Sequence, residues 1–469
     1  MTPTTAPLRP REDTELPVRL ARSAAQRDSG AYLRTADVLD WLASRRRAHR
    51  FRVERIPFSG LGEWAFDGVS GNLGHRSGRF FTVEGLRVRT GPDAAGEWEQ
   101  PVIRQPETGI LGILAKEFDG VLHCLMQAKM EPGNPGLVQL SPTVQATRSN
   151  YTRAHRGSPV RYIDYFLRRP LDGGVRVLAD VLQSEHGSWF FHKFNRNMLV
   201  ETDGEVPGAP DFCWLTLGQL GELLRYDNVV NMDARTVLAC APVAYDERHA
   251  RHPDAELLSW FTGERARREV EAALMPLKDV AGWRRGPWSI DHEQGRHFSV
   301  VAVSVEAASR EVGGWSQPLI EPVGTGVTAF LARRFAGVPH LLVCARTEGG
   351  LQDGVELGPT LQCTPQNHAH LPPSARPLFL DTVLGAAASR IRYQAVHSEE
   401  GGRFLNAQSR YLIVDWDEQD DGGGRDADPP PGYRWMTPGQ LGMFARHSHY
   451  LNVQARTLLA CLTTGAVRL

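Results

Sequence analysis

"LSPTVQATRSNY" occupies Leu140–Tyr151, and "LGPTLQCTPQNH" occupies Leu357–His368, 217 residues further on. Six of the twelve positions are identical: Leu, Pro, Thr, Gln, Thr and Asn. Working outward, nearly the same register holds across the chain. Upstream, "VLDWLASRRR" matches "LLSWFTGERA", which pairs Trp41 with Trp260, and Trp64 then pairs with Trp283. "HRSGRFF" matches "HEQGRHF", pairing His75 with His292, and "EWEQPVI" matches "GWSQPLI". Downstream, "SEHGSWFFHKFNRNMLV" meets "SEEGGRFLNAQSRYLIV", and "NMDARTVLAC" meets "NVQARTLLAC". A register kept over a whole half-chain is the signature of tandem duplication. It predicts an N-terminal arm over 1–35, a first repeat over 36–244, a linker over 245–254 and a second repeat over 255–465.

Within each repeat the pattern predicts an α+β unit. The Trp41 segment reads as a helix. "RFFTVEGLRVRT", "VLHCLMQAK" and "RYLIVDW" alternate apolar and polar residues as half-buried strands do. Thr216 with Gln219, and Thr437 with Gln440, have the T-x-x-Q spacing of a capping box, and Pro438 suits the first position of the helix that follows. The insertion "EQDDGGGRDADPPPG" at 418–432 reads as a solvated loop. The expected fold is therefore two similar halves, each a mostly antiparallel or mixed sheet with flanking helices.

Bulk composition bounds the function. Net charge is -1, so nothing advertises nucleic acid or an acidic membrane surface as a partner. No apolar run reaches membrane-spanning length and the N-terminus lacks a signal-peptide core, so a cytoplasmic protein is expected. Six scattered Cys without CxxC spacing suit reduced thiols. No GxGxxG, GxxxxGK[ST], GxSxG or HExxH motif is present, and no His or carboxylate sits at metal-ligand spacing, so neither a cofactor nor a metal is expected. All basic residues are Arg except Lys116, Lys129, Lys193 and Lys278. A lysine kept in such a chain points to a need for an amine, because guanidinium does not give up its proton.

Repetition alone does not separate chemistry from scaffold. The paired Trp residues suit core packing, and Arg235 and Arg456 suit a buried helix that needs tying down. The opening motif differs in kind. Gln145 and Asn150, with Gln362 and Asn367 in the copy, form an uncharged set that can match sugar hydroxyls or a pyrimidine edge. The same side chains can instead satisfy their own loop backbone. Just upstream, Gln127 and Lys129, with Arg346 in the copy, suit a phosphate or a neighbouring Glu equally well. "SEHGSWFFHKFNRNM" adds His192, Lys193, Asn195 and Arg196 among aromatic residues, as a base-stacking pocket or as the two faces of one strand.

The blocks "QAKMEPGNPGLVQLSPTVQATRSNY" and "SWFFHKFNRNMLVE", with their copies "ELGPTLQCTPQNH" and "SEEGGRF", resemble the NDP-hexose 2,3-dehydratases of deoxysugar biosynthesis. The resemblance covers essentially 36–465, duplication included. It implies Nudix-like halves, a homodimer and two nucleotide-sugar pockets per chain. The Nudix box itself is missing, so metal-dependent diphosphate hydrolysis does not carry over. The implied reaction is cofactor-independent loss of water across C2 and C3 of dTDP-4-keto-6-deoxy-D-glucose, giving a 3,4-diketo-2,6-dideoxy sugar nucleotide for antibiotic decoration. A non-catalytic nucleotide-sugar binder and a related epimerase are the alternatives.

Differences between the copies suggest which one reacts. The first has Lys129, Arg148, Tyr151, His192 and Lys193 where the second has Arg346, Pro365, His368, Asn406 and Ala407. On that basis Tyr151, His192 and Lys193 are the expected acid–base residues. Substrate contacts are expected from Gln127, Lys129, Gln145, Arg148, Asn150, Asn195 and Arg196, and in the second site from Arg346, Gln362, Asn367, Arg410 and Tyr411. Glu400 and Tyr411, which replace His186 and Asn197, are acid–base groups credited to the second half.

Overall fold

The computed structural model describes residues 14–91, 96–151, 159–167, 174–244, 249–307, 313–416 and 428–469. The expected arm therefore lies partly outside the described residues, as does most of the 418–432 insertion. Each half is built on a seven-stranded mixed sheet. In the first, the order is Arg176–Ser184, Phe194–Glu201, Gly109–Phe118, Val121–Met130 and Phe212–Thr216, with Val138–Ser141 beside Val121–Met130 and Val144–Ala146 beside Gly109–Phe118. Phe194–Glu201 runs parallel to Gly109–Phe118, and the other pairs are antiparallel. The second half repeats this arrangement around Gly326–Phe335 and Gln408–Asp415. The chain is thus α+β with mixed sheets and few helices among the described residues, as the repeated alternation predicts.

Both capping boxes are present. Thr216 and Gln219 satisfy each other's backbone N–H groups at the start of Leu217–Leu223, and Thr437 and Gln440 do the same for Pro438–Ala445. A second helix then closes each half, Met232–Leu238 and Val453–Thr463, and these two pack against each other. Arg235 and Arg456 are fully buried in that contact. Arg235 Nε donates to Thr457 Oγ1 at 3.2 Å and Arg456 Nε to Thr236 Oγ1 at 2.6 Å. The guanidinium groups go on to bind Ser398 O and Ser184 O, each in the opposite half of the chain.

The halves also exchange strands. Phe51–Ile56 pairs along its length with Phe298–Ala307, and Val270–Met275 pairs with Thr82–Thr90. Each of the two smaller sheets is therefore a hybrid. Gly85 shows how closely the exchanged strand approaches: a Cβ there would lie 2.5 Å from Val280 Cγ2 and 2.9 Å from Met275 O. One apolar cluster runs continuously from Leu16 and Ile113 to Phe444 and Leu459. A half expressed alone loses one strand and much of this core. Residues 36–244 by themselves are expected to lack a cooperative melting transition, and co-expression with 249–469 to restore it, as followed by circular dichroism. Cooperative unfolding of the isolated segment would show that the exchange is dispensable.

Candidate active site

The exchanged architecture joins two loops reciprocally. The turn after Val121–Met130 lies on the second half's Glu400–Phe404 turn: Gly133 N–H donates to Gly401 O at 2.7 Å, and Asn406 N–H to Gly133 O at 2.8 Å. A Cβ on Gly133 would sit 1.7 Å from Phe404 O. In mirror fashion, Gly350 N–H donates to Gly187 O at 2.8 Å and His192 N–H to Gly350 O at 2.8 Å. Each half's S-E-x-G turn is thereby delivered to the other half's sheet. Two open clefts result, of about 670 and 1320 Å³.

The first cleft is walled by Lys129, Gln145, Asn150, Lys193 and Asn195 from the first half and by Trp315, Gln317, Glu400 and Arg403 from the second. Gln145 is locked from both ends. Its amide donates to Glu131 Oε1 at 2.8 Å, and its carbonyl accepts from Ser141 Oγ at 2.9 Å and Asn231 Nδ2 at 3.3 Å. Lys129 Nζ lies 3.7 Å from Glu131 and donates to Gln145 O at 3.2 Å. Lys193 donates to Glu107 O, to Phe194 O at 3.3 Å and to Asn195 Oδ1 at 2.8 Å, and Asn195 donates to Glu185 Oε1 at 2.6 Å. Burial pulls the Lys193 ammonium down to about 8, with Glu185 opposing.

Carboxylates dominate the floor. Glu131, Asp233 and Glu400 each place an oxygen within 4.8 Å of the others, a spacing that also suits a divalent cation. Three distant segments supply them, which is why no ligand spacing is visible in the sequence. Burial and the neighbouring carboxylates Glu131 and Glu185 push Glu400 up to about 7 against Arg403, and burial together with Glu400 raises Asp233 well above the usual range.

The second cleft has a different charge pattern. Arg346 pairs with Glu348 at 2.9 Å, and Gln362 bridges Glu348 and Asn452. The counterpart of Glu400 is His186, fully buried and 2.9 Å from Glu399, whose other oxygen accepts from Tyr411 Oη at 2.9 Å. Burial disfavours the His186 cation, yet Glu185 and Glu399 together raise it to about 9. The counterparts of Asp233, Lys193 and Arg403 are Gln454, Ala407 and Trp189.

Of the residues expected from sequence, Lys129, Gln145, Asn150, Lys193 and Asn195 meet in the first cleft, and Arg346, Gln362 and Asn367 in the second. The others line neither cleft. Tyr151 is half-buried and packs on the apolar cluster around Phe166. His192 has φ 48°, as its counterpart Asn406 has 49°, so the position serves a left-handed turn, and its ring stacks on Phe191 at 3.9 Å. Arg196 forks onto Asp180, Arg148 is exposed, Gln127 and Arg410 are half-buried on strands, and Tyr411 is buried against Glu399.

Sequence reasoning missed Glu185, Asp233, Gln317 and Arg403, and credited Glu400 to the second site, whereas it lines the first. A signal for Asp233 was present: it is a carboxylate in a repeated helix segment whose copy carries Gln454.

One family model, described as NDP-hexose 2,3-dehydratase, matches residues 35–241 and again 254–462. The chain is 58% identical to the dTDP-4-dehydro-6-deoxy-alpha-D-glucopyranose 2,3-dehydratase of Amycolatopsis orientalis, covering 99% of this chain and 98% of that one. Identity to the proteins of the same name is 52% for Saccharopolyspora spinosa, covering 90% of both chains, and 53% for Streptomyces violaceoruber, covering 92% and 97%. No helix among the described residues is long and apolar enough to cross a membrane.

Proposed function

Because the chain belongs to the NDP-hexose 2,3-dehydratase family, we propose that it removes water across C2 and C3 of dTDP-4-dehydro-6-deoxy-D-glucose, and that the first cleft does the chemistry. The observation that carries the assignment is the charge inventory. The first cleft unites Lys129, Lys193 and Arg403 with four carboxylates, while three of its central positions are neutral in the second, as Gln454, Ala407 and Trp189.

The C4 ketone of this substrate acidifies the C3 proton. A base can therefore remove that proton while fixed donors hold the negative charge growing on O4, and the C2 hydroxyl leaves with an added proton. Lys193, held by three acceptors, places a fixed positive charge beside the cleft. Gln145 and Asn150 offer amides for hydroxyls. Arg403, bound to Gln105 at 3.0 Å, supplies positive charge for the diphosphate.

The duplicated units are taken as 36–244 and 255–465, and a Nudix-like fold in each is supported by its mixed sheet closed by two helices. A cytoplasmic homodimer working in antibiotic deoxysugar formation suits the same reading.

The experiment incubates the chain with the substrate and traps the 1,2-diketone product with o-phenylenediamine. The wild-type chain is expected to form the quinoxaline. Arg403→Ala is expected to slow it by roughly 10²-fold, and Arg346→Ala in the second cleft to leave it nearly unchanged. The reverse order moves the chemistry to the second cleft. An epimerase would exchange C3 hydrogen without losing water, and a pure binder would do neither.

A further inference from the structure

We propose that Asp233 and Glu400, one from each half of the chain, form a same-face acid–base pair sharing one proton, in which ionised Glu400 takes the C3 proton and protonated Asp233 gives one to the departing C2 hydroxyl. The inference rests on the dehydratase reading above.

Geometry sets the pair apart. The oxygens of Asp233, Glu400 and Glu131 lie within 4.8 Å of one another, and Asp233 Oδ1, Glu400 Oε2 and Glu131 Oε2 are buried without a hydrogen-bond partner. Independently, Glu185, in the turn after Arg176–Ser184, is 5% exposed and lines the same cleft, its Oε2 3.6 Å from His186 Nδ1. The charged groups facing the pair are Lys129, Glu131, Glu185, Lys193 and Arg403. Four carboxylates meet three cations in the cleft, and the His186 cation behind Glu185 is matched by Glu399 at 2.9 Å, so one bound proton relieves the repulsion. The two members differ in where that proton rests. Glu400 Oε1 accepts from Gly402 N–H at 3.1 Å and Arg403 favours its charge, whereas Asp233 is 2% exposed and surrounded by carboxylates.

The substrate's stereochemistry calls for such a pair. In a gluco-configured chair H3 is axial and O2 equatorial, and the two are gauche on one face of the ring. Base and acid must then be close neighbours on that face, not opposed across the sugar.

The steps balance. The C3–H bond breaks to Glu400 and its electrons form the enolate on O4. These electrons then make the C2–C3 double bond as the C2–O bond breaks, and the Asp233 proton leaves with the hydroxyl as water. The resulting C3 enol gives its O–H proton to Asp233, while Glu400 returns a proton to C2. The 3,4-diketone is released and both carboxyls are reset. The second cleft, with Gln454 and His186 at these positions, lacks the pair.

The test separates proton removal from water loss, both in D₂O. Glu400→Gln is expected to lower C3 hydrogen exchange and diketone formation together, by at least ~10²-fold. Asp233→Asn is expected to lower diketone formation by as much while the unconverted substrate still exchanges its C3 hydrogen. Asp233→Glu is expected to recover part of the dehydration. The wild-type pH profile needs no variant: diketone formation should rise as pH climbs through about 7, where Glu400 ionises, and fall again where Asp233 loses its proton.

Three outcomes overturn the pair: Asp233→Asn dehydrating at the wild-type rate, Glu400→Gln keeping C3 exchange, or a rate flat across that pH range. Loss of activity on chelation with recovery on adding a divalent cation does so too, since an ion among these carboxylates would displace the shared proton. A wild-type chain that never forms the diketone refutes the dehydratase reading itself, which separates the two failures.

Discussion

Lys193→Met is expected to lower kcat/KM for dehydration by roughly 10²–10³-fold, the range seen when one preorganised electrostatic group is removed from a site where charge develops. Three acceptors, Glu107 O, Phe194 O and Asn195 Oδ1, hold the ammonium in place. Methionine keeps the stem's volume and removes every donor. Asn195 keeps the Gly109 N–H on its Oδ1 at 3.1 Å and its own bond to Glu185, so the variant removes the ammonium without releasing that amide. Glu107 O and Phe194 O also lose this donor, which costs stability as well, so kcat/KM is compared at a temperature where both proteins are folded by circular dichroism.

The pH dependence has a definite sign. The active form of Lys193 is the ammonium, and burial brings it down to about 8, so the rate should fall as pH rises through that value. Steady-state rates of Lys193→Met and a wild-type profile check both statements. A variant within about threefold of wild type would remove Lys193 from the chemistry.

Arg456→Leu should have the largest effect on stability. The guanidinium is buried between the closing helices and serves Leu451 O, Ser184 O, Thr236 Oγ1 and, at 3.4 Å, Gln183 Oε1. Removing it strands several buried acceptors, each costing about 1–3 kcal/mol. A total on the order of 3–5 kcal/mol is a large share of the ~5–15 kcal/mol that holds a typical domain folded. Arg235→Leu should behave alike, because Arg235 serves Val230 O, Ser398 O and Thr457 Oγ1. The double variant should cost less than the sum, since both arginines clamp one helix pair. Urea midpoints of the three variants measure this. Ser184 and Ser398 immediately precede Glu185 and Glu399, so a loosened clamp should also blunt both clefts.

Much of the fold was legible in the sequence because its determinants are local. Alternating strands such as Val121–Met130, the Thr216 and Thr437 capping boxes and Pro438 act within a few residues, so the string displays them directly. Lys129, Gln145, Asn150, Lys193 and Asn195 were legible as polar residues in repeated blocks, and they meet in one cleft. Tyr151 and His192 misled because they are adjacent in sequence to true lining residues. A helical turn over Arg148–Tyr151 and a left-handed turn at His192 send neighbours to different sides, and only backbone geometry tells which.

What the sequence by itself determined is the duplication, the class of fold, the family resemblance and one wall of the site. Only the tertiary structure decided that the halves exchange Phe51–Ile56 and Val270–Met275, and that each S-E-x-G turn crosses to its neighbour's sheet. That crossing carries Glu400 and Arg403 into the first cleft and His186 into the second. A repeat read along the chain assigns each residue to the half in which it is written. Close backbone contacts at Gly133 and Gly350 assign it to the half in which it acts, and no local propensity encodes a contact between residues that far apart in the chain.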